Sequence, residues 1–303
     1  MKRLLLFTLF FAIVSTAKAQ NDPSLTVGDT GTITFQYRGN TVTYTTVRAA
    51  DGLIWLQQNL GATQVADSAT DTAAYGHYFQ WGRWDDGHQV PTSDTAHAHG
   101  LAINNPAGIP NGSDKFFVDT SAGANPWWAN GDSNNTWTNA PPSDSNGYDP
   151  CAALGPNWHM PSKSEFSNLV AIEGISANTS AFSSNLKLPM AGTRHYIDTF
   201  FIGVHNSSAY WTSSVVDSLA NTVYITSTVD TNHPVYKGYG RSVRCVTTCT
   251  GVYSPDTLLG PDTVCANSVQ TWQTPRSPMP TAIPGPYLPE RVSLARRTAT
   301  QSL

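Results

Sequence analysis

The sequence predicts an α+β protein with a mostly antiparallel sheet, one convincing helix and a long irregular loop region. Three observations support this prediction. Apolar and β-branched residues alternate through residues 25–47, a capping-box motif follows Pro161, and turn-forming residues dominate residues 75–150. Short apolar runs separated by Gly, Asn and Asp follow the helix, and they predict that the sheet is built mostly late in the chain.

The segment before residue 48 predicts a β-hairpin. Apolar and β-branched side chains alternate with period two in residues 32–37 and again in residues 41–47. Residues 38–40, Arg-Gly-Asn, supply a turn between the two runs. The short apolar run 53–56 predicts a further strand, with Trp55 in the core.

The one convincing helix begins after Pro161. Ser162 stands three residues before Glu165, the spacing of a capping box, in which each residue binds the backbone N–H of the other. The residues after this box that fall on one helical face are Phe166, Leu169 and Val170. Gly174 is expected to end the helix. Glu165 is therefore interpreted as a cap partner and not as a catalytic acid or base.

The turn-rich region also carries aromatic residues, which favours an ordered, functional loop over a disordered one. Its candidate ligand-binding residues are Trp127, Trp128, Trp137 and Tyr148. An aromatic ring can stack on the apolar C–H face of a sugar while Asn and Asp side chains bind the hydroxyls. The alternative is that the tryptophans form the small core of the loop region, and their solvent exposure distinguishes the two interpretations.

The end of the same region offers a possible calcium loop. Residues 144–149 place oxygen ligands at alternate positions, as hard cations require, and the candidates are Asp144, Asn146 and Asp149. No EF-hand is completed, and the lectin-type calcium signatures Glu-Pro-Asn and Trp-Asn-Asp are missing. Turn chemistry, in which Asp and Asn side chains bind their own backbone, is therefore favoured over a calcium site.

The N-terminus predicts export. A basic start, an apolar run over residues 4–14 and the Ala-Lys-Ala triplet at 17–19 describe a signal peptide that is cleaved after Ala19. Its removal leaves 14 basic against 21 acidic residues, so the net charge changes from −4 to −7. This balance argues against nucleic acid as a partner, because nucleic acid requires clustered Lys and Arg. No later stretch is long and apolar enough to predict a membrane span.

Four cysteines follow the leader: Cys151, Cys245, Cys249 and Cys265. An even number in an exported chain predicts disulfides, and the sequence allows three pairings. Cys151 and His159 could act as a nucleophile and its base only if the thiol were free. An oxidising compartment favours a disulfide over that chemistry.

Five passages stand out together in the order GLIWLQQNLGA (52–62), YGHYFQWGR (75–83), CAALGPNWHMPSKSEFSNL (151–169), YWTSS (210–214) and RSVRCV (241–246). They resemble the Fibrobacter succinogenes major paralogous domain family, which reads approximately W-M-x-x-N-L, Y-G-x-x-Y-x-W, C-P-x-G-W-H-x-P-S-x-x-E-W-x-x-L, F-W-S-S and S-V-R-C. The resemblance covers residues 41–247. Leu56 replaces the usual methionine and Phe166 the usual tryptophan, and both keep an apolar side chain.

The resemblance implies a C-type-lectin-like fold, related in shape to the formylglycine-generating enzyme domain. Such a fold has a twisted antiparallel sheet with one or two helices and a long, irregular loop region that carries binding. The family implies that Cys245 is the disulfide partner of Cys151, and we favour this pairing together with Cys249–Cys265. The motif residues expected in the core are Trp55, Trp81, Trp158 and Trp211. The formylglycine enzymes use a reactive cysteine pair or a copper site; no matching extra cysteines occur here, so that activity is not expected.

The chain divides into four expected parts. Residues 1–19 are the signal peptide, and residues 20–247 are the C-type-lectin-like domain with its N-terminal hairpin. Residues 248–274 form a linker that resembles the start of an incomplete immunoglobulin-like or PKD-like module. The Pro-rich and then Arg-containing residues 275–303 are expected to be a disordered tail, because they cannot bury enough apolar surface to order themselves.

Together these features predict a secreted or cell-surface bacterial protein that is not an enzyme and that binds a glycan or another surface protein. This expectation rests on fold analogy, which constrains function weakly. Two alternatives come from other classes. One is a structural or display scaffold without a fixed ligand, and the other is an extracellular hydrolase that uses an unrecognised pair of carboxylates in a concave pocket.

Overall fold

The computed structural model describes residues 19–83, 85–97, 114–118, 137–138, 147–155, 157–216 and 219–247, and of 19, 137–138 and 147–148 only the backbone. The described strands are, in chain order, β1 (Ala19–Asn21), β2 (Thr30–Tyr37), β3 (Asn40–Arg48), β4 (Ile54–Leu56), β5 (Phe79–Gln80), β6 (Thr95–His97), β7 (Phe116–Val118), β8 (Trp137–Thr138), β9 (Gly147–Tyr148), β10 (Trp158–His159), β11 (Thr193–Arg194), β12 (Phe201–Ile202), β13 (Ser208–Val216), β14 (Leu219–Ile225), β15 (Val229–Val235), β16 (Gly240–Arg241) and β17 (Val246–Thr247). The described helices are α1 (Lys163–Ile172) and α2 (Asn178–Ser183), with single 3-10 turns at Thr72–Ala74 and Pro150–Leu154.

The largest sheet has six strands in the order β1-β2-β3-β4-β17-β10, and all its neighbours are antiparallel. Its predicted hairpin is confirmed: β2 and β3 pair along their whole length, from Thr30 with Val47 to Tyr37 with Asn40. The two turn residues between them, Arg38 and Gly39, have φ of 51° and 75°. Two consecutive left-handed residues match the right-handed twist of the strands and close a tight two-residue turn.

Two smaller antiparallel sheets follow, in the orders β12-β11-β16-β5 and β13-β14-β15. Two short pairs, β6–β7 and β8–β9, are parallel. The described chain is therefore mostly antiparallel sheet with two helices, which is an α+β architecture. The expectation that the sheet is built mostly late is wrong, because β1 to β4 supply four of the six strands of the largest sheet.

Helix α1 begins as predicted. The Ser162 hydroxyl accepts the Glu165 N–H at 3.2 Å, and the Glu165 carboxylate accepts the Ser162 N–H at 2.7 Å, so the capping box is complete. The three side chains predicted for the apolar face, Phe166, Leu169 and Val170, are buried. Gly174 follows the helix with φ of +68°, the left-handed conformation that ends many helices.

A disulfide links Cys151 to Cys245, as predicted, across 94 residues of sequence. Both cysteines are fully buried in one of two main core clusters, beside Trp158, Met160 and Trp211. In the chain-entropy model, closing a loop of this length stabilises the fold by about 4 to 5 kcal/mol. Cys249 and Cys265, and with them the second predicted pairing, lie outside the described residues.

The passages that carry the family resemblance converge on the core. The four motif tryptophans are at most 2% exposed, as predicted, and they are Trp55, Trp81, Trp158 and Trp211. Arg244, also buried, donates from its guanidinium to the carbonyls of Leu56 and Leu186 at 3.1 Å and to the Asn59 side chain at 2.6 Å. Each bond satisfies a buried acceptor that would otherwise be costly to leave unpaired. These motif residues therefore position the strands and do not form an exposed site.

Within the described residues, no helix is long and apolar enough to cross a membrane.

Candidate recognition surface

The sequence-predicted ligand-binding residues fall in the least described region. Trp127 and Trp128 lie outside the described residues. Trp137 and Tyr148 are described by their backbones only, on the parallel pair β8–β9, where Trp137 is opposite Gly147 and Thr138 is opposite Tyr148. The structure thus brings the backbones of Trp137 and Tyr148 to adjacent positions of one strand pair, and their predicted role in binding stays a prediction.

Of the three calcium candidates, Asp149 alone is described, since residues 139–146 lie outside the described part. Its carboxylate is buried, accepts the Cys151 N–H at 2.8 Å and accepts the Met160 N–H at 2.7 Å. Asp149 thereby caps the 3-10 turn before the disulfide, which is the turn chemistry that the sequence favoured over a calcium site. Among the described residues, no group of three His, Cys, Asp or Glu side chains could hold a metal ion.

His159 and Glu165 form an ion pair that belongs to the scaffold. The His159 Nε2 lies 2.9 Å from a Glu165 carboxylate oxygen, and the other oxygen accepts the capping N–H of Ser162. Desolvation opposes the shift, but the bonds from His159 and Ser162 lower the pKa of Glu165 to about 2. Desolvation likewise opposes the shift at His159, whose pKa is raised by the hydrogen bond and charge of Glu165. His159 is thus engaged in the scaffold, and Cys151, which is bonded to Cys245, offers it no thiolate to activate.

A depression of about 490 Å³ between the β2–β3 turn and the 3-10 turn at Pro150–Leu154 includes Asp85 and Asp86 among its lining residues. The Asp86 carboxylate accepts hydrogen bonds from the buried Arg83 guanidinium. It also accepts the backbone N–H and the ring Nδ1–H of His88. The His88 Nε2 in turn accepts the Gln80 N–H at 3.0 Å, which fixes the tautomer.

The second carboxylate of this depression is also engaged by the protein. Asp85 accepts the Arg38 N–H at 2.7 Å and the Gln89 side-chain amide. Desolvation raises the pKa of Asp85, and these hydrogen bonds partly offset the rise. Both carboxylates therefore hold the hairpin turn and the following loop in place.

The hairpin formed by β11 and β12 presents apolar side chains to solvent. Phe200 is 71% exposed and Ile202 is 50% exposed, and Ile197 and Phe201 are exposed beside them. Large contiguous apolar groups at a protein surface mark recognition sites more often than isolated ones do. This hairpin is accordingly the strongest candidate for a binding element among the described residues.

The turn of this hairpin is held rigid although one residue is strained. Thr199 has φ of +63°, a left-handed conformation that a β-branched residue rarely adopts. Its N–H donates to the His195 carbonyl at 3.1 Å, and the His195 N–H donates to the Phe200 carbonyl at 2.9 Å. The Asp198 carboxylate accepts from His195 Nδ1 at 2.8 Å and from the Phe200 N–H at 3.3 Å. Strain of this kind persists where surrounding contacts enforce it, often at functional sites.

Tyrosine rings pack beside the hairpin. The Tyr196 ring centroid lies 4.8 Å from that of Tyr239 and 5.7 Å from that of Tyr236, both in edge-to-face geometry. The His195 ring contacts Tyr196 and Tyr239. His195 and Phe200 are opposite each other across the hairpin, so their side chains share one face. Phe200 is therefore on the same face of the hairpin as His195, which contacts two of the tyrosine rings.

A buried arginine joins this cluster to a second pair of rings. The Arg241 guanidinium carbon lies 5.4 Å from the Tyr239 centroid and 5.7 Å from the Tyr224 centroid. Tyr224 is stacked on His233 at 4.9 Å with an interplanar angle of 19°. Cation–π contacts of this length hold both tyrosine rings in fixed positions. We call the resulting row of side chains the aromatic strip: Phe200, His195, Tyr196, Tyr236, Tyr239, Tyr224 and His233.

Acidic side chains lie at both ends of the aromatic strip. Asp198 contacts His195 at one end, and Asp230 contacts His233 at 3.2 Å at the other. Desolvation opposes the shift, but the hydrogen bonds from His195 and the Phe200 N–H lower the pKa of Asp198, so this carboxylate is ionised. The strip thus combines aromatic faces with hydroxyl groups and charged acceptors, as a site for a polyhydroxylated ligand requires.

Sequence reasoning missed the aromatic strip. Its residues come from 195–200, 224, 233, 236 and 239, and no spacing along the chain predicts that they meet. One local signal was present: the run Tyr196-Ile197-Asp198-Thr199-Phe200-Phe201-Ile202 places four apolar residues around an Asp-Thr turn. Such a run is more apolar than an ordinary hairpin turn, whose residues are mostly polar because they face solvent.

Comparison with known proteins gives no match, either to a family model, to a curated protein or to a solved structure.

Proposed function

We propose that this protein is an exported, non-enzymatic recognition protein with a C-type-lectin-like fold, and that it binds a glycan through the aromatic strip. The observation that supports the proposal is that the exposed Tyr236 packs against the Tyr196 ring, which also contacts Tyr239, on a hairpin whose turn exposes Phe200 and the Asp198 carboxylate.

The chemistry of the aromatic strip favours a glycan. Aromatic faces bury the C–H surface of a sugar, and hydroxyl and carboxylate groups at the edges bind the sugar hydroxyls. Tyrosine supplies both functions in one side chain. The hairpin that carries Tyr196 and Phe200 is fixed by the hydrogen bonds of Asp198, so little conformational entropy is lost when a ligand binds.

The fold assignment and the exported location in this proposal rest on three supports. The five motif passages resemble one secreted family, the described chain is an antiparallel α+β fold, and the Cys151–Cys245 disulfide suits an oxidising compartment. A leader cleaved after Ala19 leaves Gln20 and Asn21 in strand β1, where Gln20 also accepts a hydrogen bond from the Trp158 indole at 3.2 Å.

A glycan array probed with the exported full-length chain tests the proposal. Phe200→Ala and Tyr236→Ala should each lower the affinity for the array hits by roughly tenfold, since one aromatic contact is worth about 1 kcal/mol or more. Leu25→Ala is the matched control, because Leu25 is 67% exposed but lies outside the aromatic strip.

Two outcomes would count against the glycan proposal. One is an array without any hit. The other is a set of hits whose affinities are the same in Phe200→Ala, Tyr236→Ala and Leu25→Ala. An empty array would favour the remaining alternatives, which are a surface protein as the ligand, a display scaffold without a fixed ligand and an extracellular hydrolase.

A further inference from the structure

We infer that Gln20 is a modification site and that the mature chain begins with a pyroglutamate formed from it. This inference rests on the exported location in the proposed function, because Gln20 becomes the first residue only when a leader is cleaved after Ala19. It is independent of the ligand that the protein binds.

The reaction joins two groups of the same residue. The free α-amine of an N-terminal Gln20 attacks the side-chain carbon Cδ, and a new N–Cδ bond forms. The bond from Cδ to Nε2 breaks, one proton passes from the amine to Nε2, and ammonia leaves. The product is a five-membered lactam, and no oxidant, reductant or second substrate is consumed. Because amine and amide belong to one residue, the attack has the advantage of an intramolecular reaction.

The place of Gln20 in the fold leaves the new N-terminus accessible. Gln20 is exposed and lies in β1, which is an edge strand of the six-stranded sheet. On one side it is opposite Ile33 of β2, and β2 is the only described strand with which β1 pairs. No described strand therefore covers the other side of β1.

One contact of the Gln20 side chain favours attack on its amide. The Oε1 atom accepts the indole N–H of the buried Trp158 at 3.2 Å. A donor at this oxygen stabilises the negative charge that develops on it when Cδ is attacked. The oxygen stays bonded to Cδ in the lactam, so the reaction does not remove the acceptor atom of this buried donor.

A second contact lies at the nitrogen that leaves. Gln20 Nε2 donates to Oδ1 of the Asp22 carboxylate. The other oxygen, Oδ2, is buried and has no hydrogen-bond partner among the described residues. A carboxylate in this position can take a proton from the attacking amine and deliver it to the departing nitrogen. Trp158 and Asp22 thus contact the two atoms of the amide whose charges change in the reaction.

The lactam changes the chemistry of the chain terminus. An uncyclised N-terminus carries an ammonium group at the start of β1, whereas the lactam N–H is neutral and resembles the peptide N–H of an uncut chain. Aminopeptidases that bind a free α-amine cannot remove the cyclised residue. The modification therefore protects the strand that donates the Trp158 acceptor.

Analysis of the N-terminus of the full-length exported chain tests the inference. The free amines of the denatured protein are dimethylated at neutral pH before trypsin digestion, so that cyclisation during the digest is not counted. No Lys or Arg lies between Gln20 and Arg38, so the first mature peptide covers residues 20–38. We expect most of this peptide to be unlabelled at its N-terminus and lighter than its sequence mass by one ammonia.

Gln20→Asn is the matched control. Asn carries the same amide on a side chain one methylene shorter, so its lactam would be a strained four-membered ring. Its first peptide should be dimethylated, which shows that the reagent reaches the N-terminus. Asp22→Asn should slow the appearance of the unlabelled peptide severalfold when freshly exported chain is sampled over time, and an unchanged rate would overturn the role of Asp22.

The outcomes separate this inference from the proposed function. A peptide 20–38 that is dimethylated at Gln20 would overturn the inference and leave cleavage after Ala19 in place. A peptide covering residues 4–38, which trypsin releases from an uncleaved leader because dimethylated Lys18 resists cutting, would overturn both the cleavage and the inference. The glycan array tests ligand binding separately from either result.

Discussion

At the level of single residues, the His159–Glu165 pair ties strand β10 to the first turn of helix α1. The pair is partly exposed, with 25% and 28% of the two side chains accessible, so its contribution to stability is modest. The pKa of His159 is raised and that of Glu165 is lowered to about 2. The contribution of the pair therefore depends on pH in a definite direction.

The sign of this dependence gives a prediction for His159→Gln. Stabilisation by His159 is complete below the unfolded pKa of 6.5 and is lost as pH rises through the higher folded pKa. The Glu165 contribution is present above its unfolded pKa of 4.5 and is lost as pH falls towards 2. We expect His159→Gln to lower the free energy of unfolding by about 1 kcal/mol at pH 5.5 and by less at pH 9. Urea denaturation at the two pH values measures this; an equal loss at both would contradict the assigned charge state.

Contacts between residues that are close in the sequence could be predicted from it. The Ser162–Glu165 capping box and the burial of Phe166 follow from spacing alone, and both are observed. The Glu165 contact with His159 could not be predicted in the same way. It depends on how β10 approaches the helix, and no spacing in the sequence specifies that approach.

At the level of elements, the β11–β12 hairpin contains a β-branched residue in a strained backbone conformation. Thr199 keeps a positive φ in a turn whose backbone and Asp198 bonds leave no alternative. Such a residue costs on the order of 1 kcal/mol or more. The strain is consistent with a hairpin whose sequence favours the display of Ile197 and Phe200 over maximal stability.

Relief of this strain gives a second prediction. Thr199→Gly should raise the free energy of unfolding by about 0.5 to 1 kcal/mol, because glycine adopts positive φ without steric cost. The same change should weaken glycan binding, since a more flexible turn must be ordered by the ligand. Thr199→Asn should act in the same direction on stability with a smaller effect, because Asn tolerates the left-handed region. Thermal melting and titration calorimetry provide the two readouts, and a destabilised Thr199→Gly would refute the strain argument.

Elements with local signals were predictable and elements fixed by tertiary contacts were not. The β2–β3 hairpin and α1 have period and turn signals, and both form. Residues 186–189, Leu-Lys-Leu-Pro, are one of the short apolar runs after the helix that predict strands, but Lys187 has φ of +52°, which extended backbone excludes. Strand β15 contains Pro234 and an Asp-Thr-Asn run that predict a loop, yet it pairs with β14 over most of its length. As an edge strand of its sheet, β15 can accommodate the proline.

At the level of the whole molecule, the disulfide and the buried Arg244 connect the late part of the described chain to its middle and to strand β4. Cys245 is joined to Cys151, and Arg244 next to it binds the carbonyl of Leu56 in β4. Strand β17 pairs with β4 in the same region. The late motif therefore completes a sheet that begins in the N-terminal hairpin. That pairing spans most of the domain, so no local pattern predicts it.

The candidate site depends on the same long-range contacts. An aromatic recognition surface was predicted on Trp127, Trp128, Trp137 and Tyr148, and it stays a prediction. The aromatic strip could not be predicted, because it assembles residues of the β11–β12 hairpin, of strands β14 and β15 and of the loop before β16, each of which has an ordinary sequence when considered alone. Only the antiparallel arrangement of β11, β14, β15 and β16 brings them into one row.

Hydroxyl-radical footprinting of the full-length exported chain, with and without a saturating concentration of a glycan that binds on the array, tests the location of the recognition surface most directly. The aromatic strip predicts that Tyr196, Phe200 and Tyr236 are protected from oxidation by the ligand, while Leu25 is oxidised equally in both samples. Protection confined to the peptide that contains Trp127, Trp128 and Trp137, with Phe200 and Tyr236 unchanged, would contradict the proposed role of the aromatic strip.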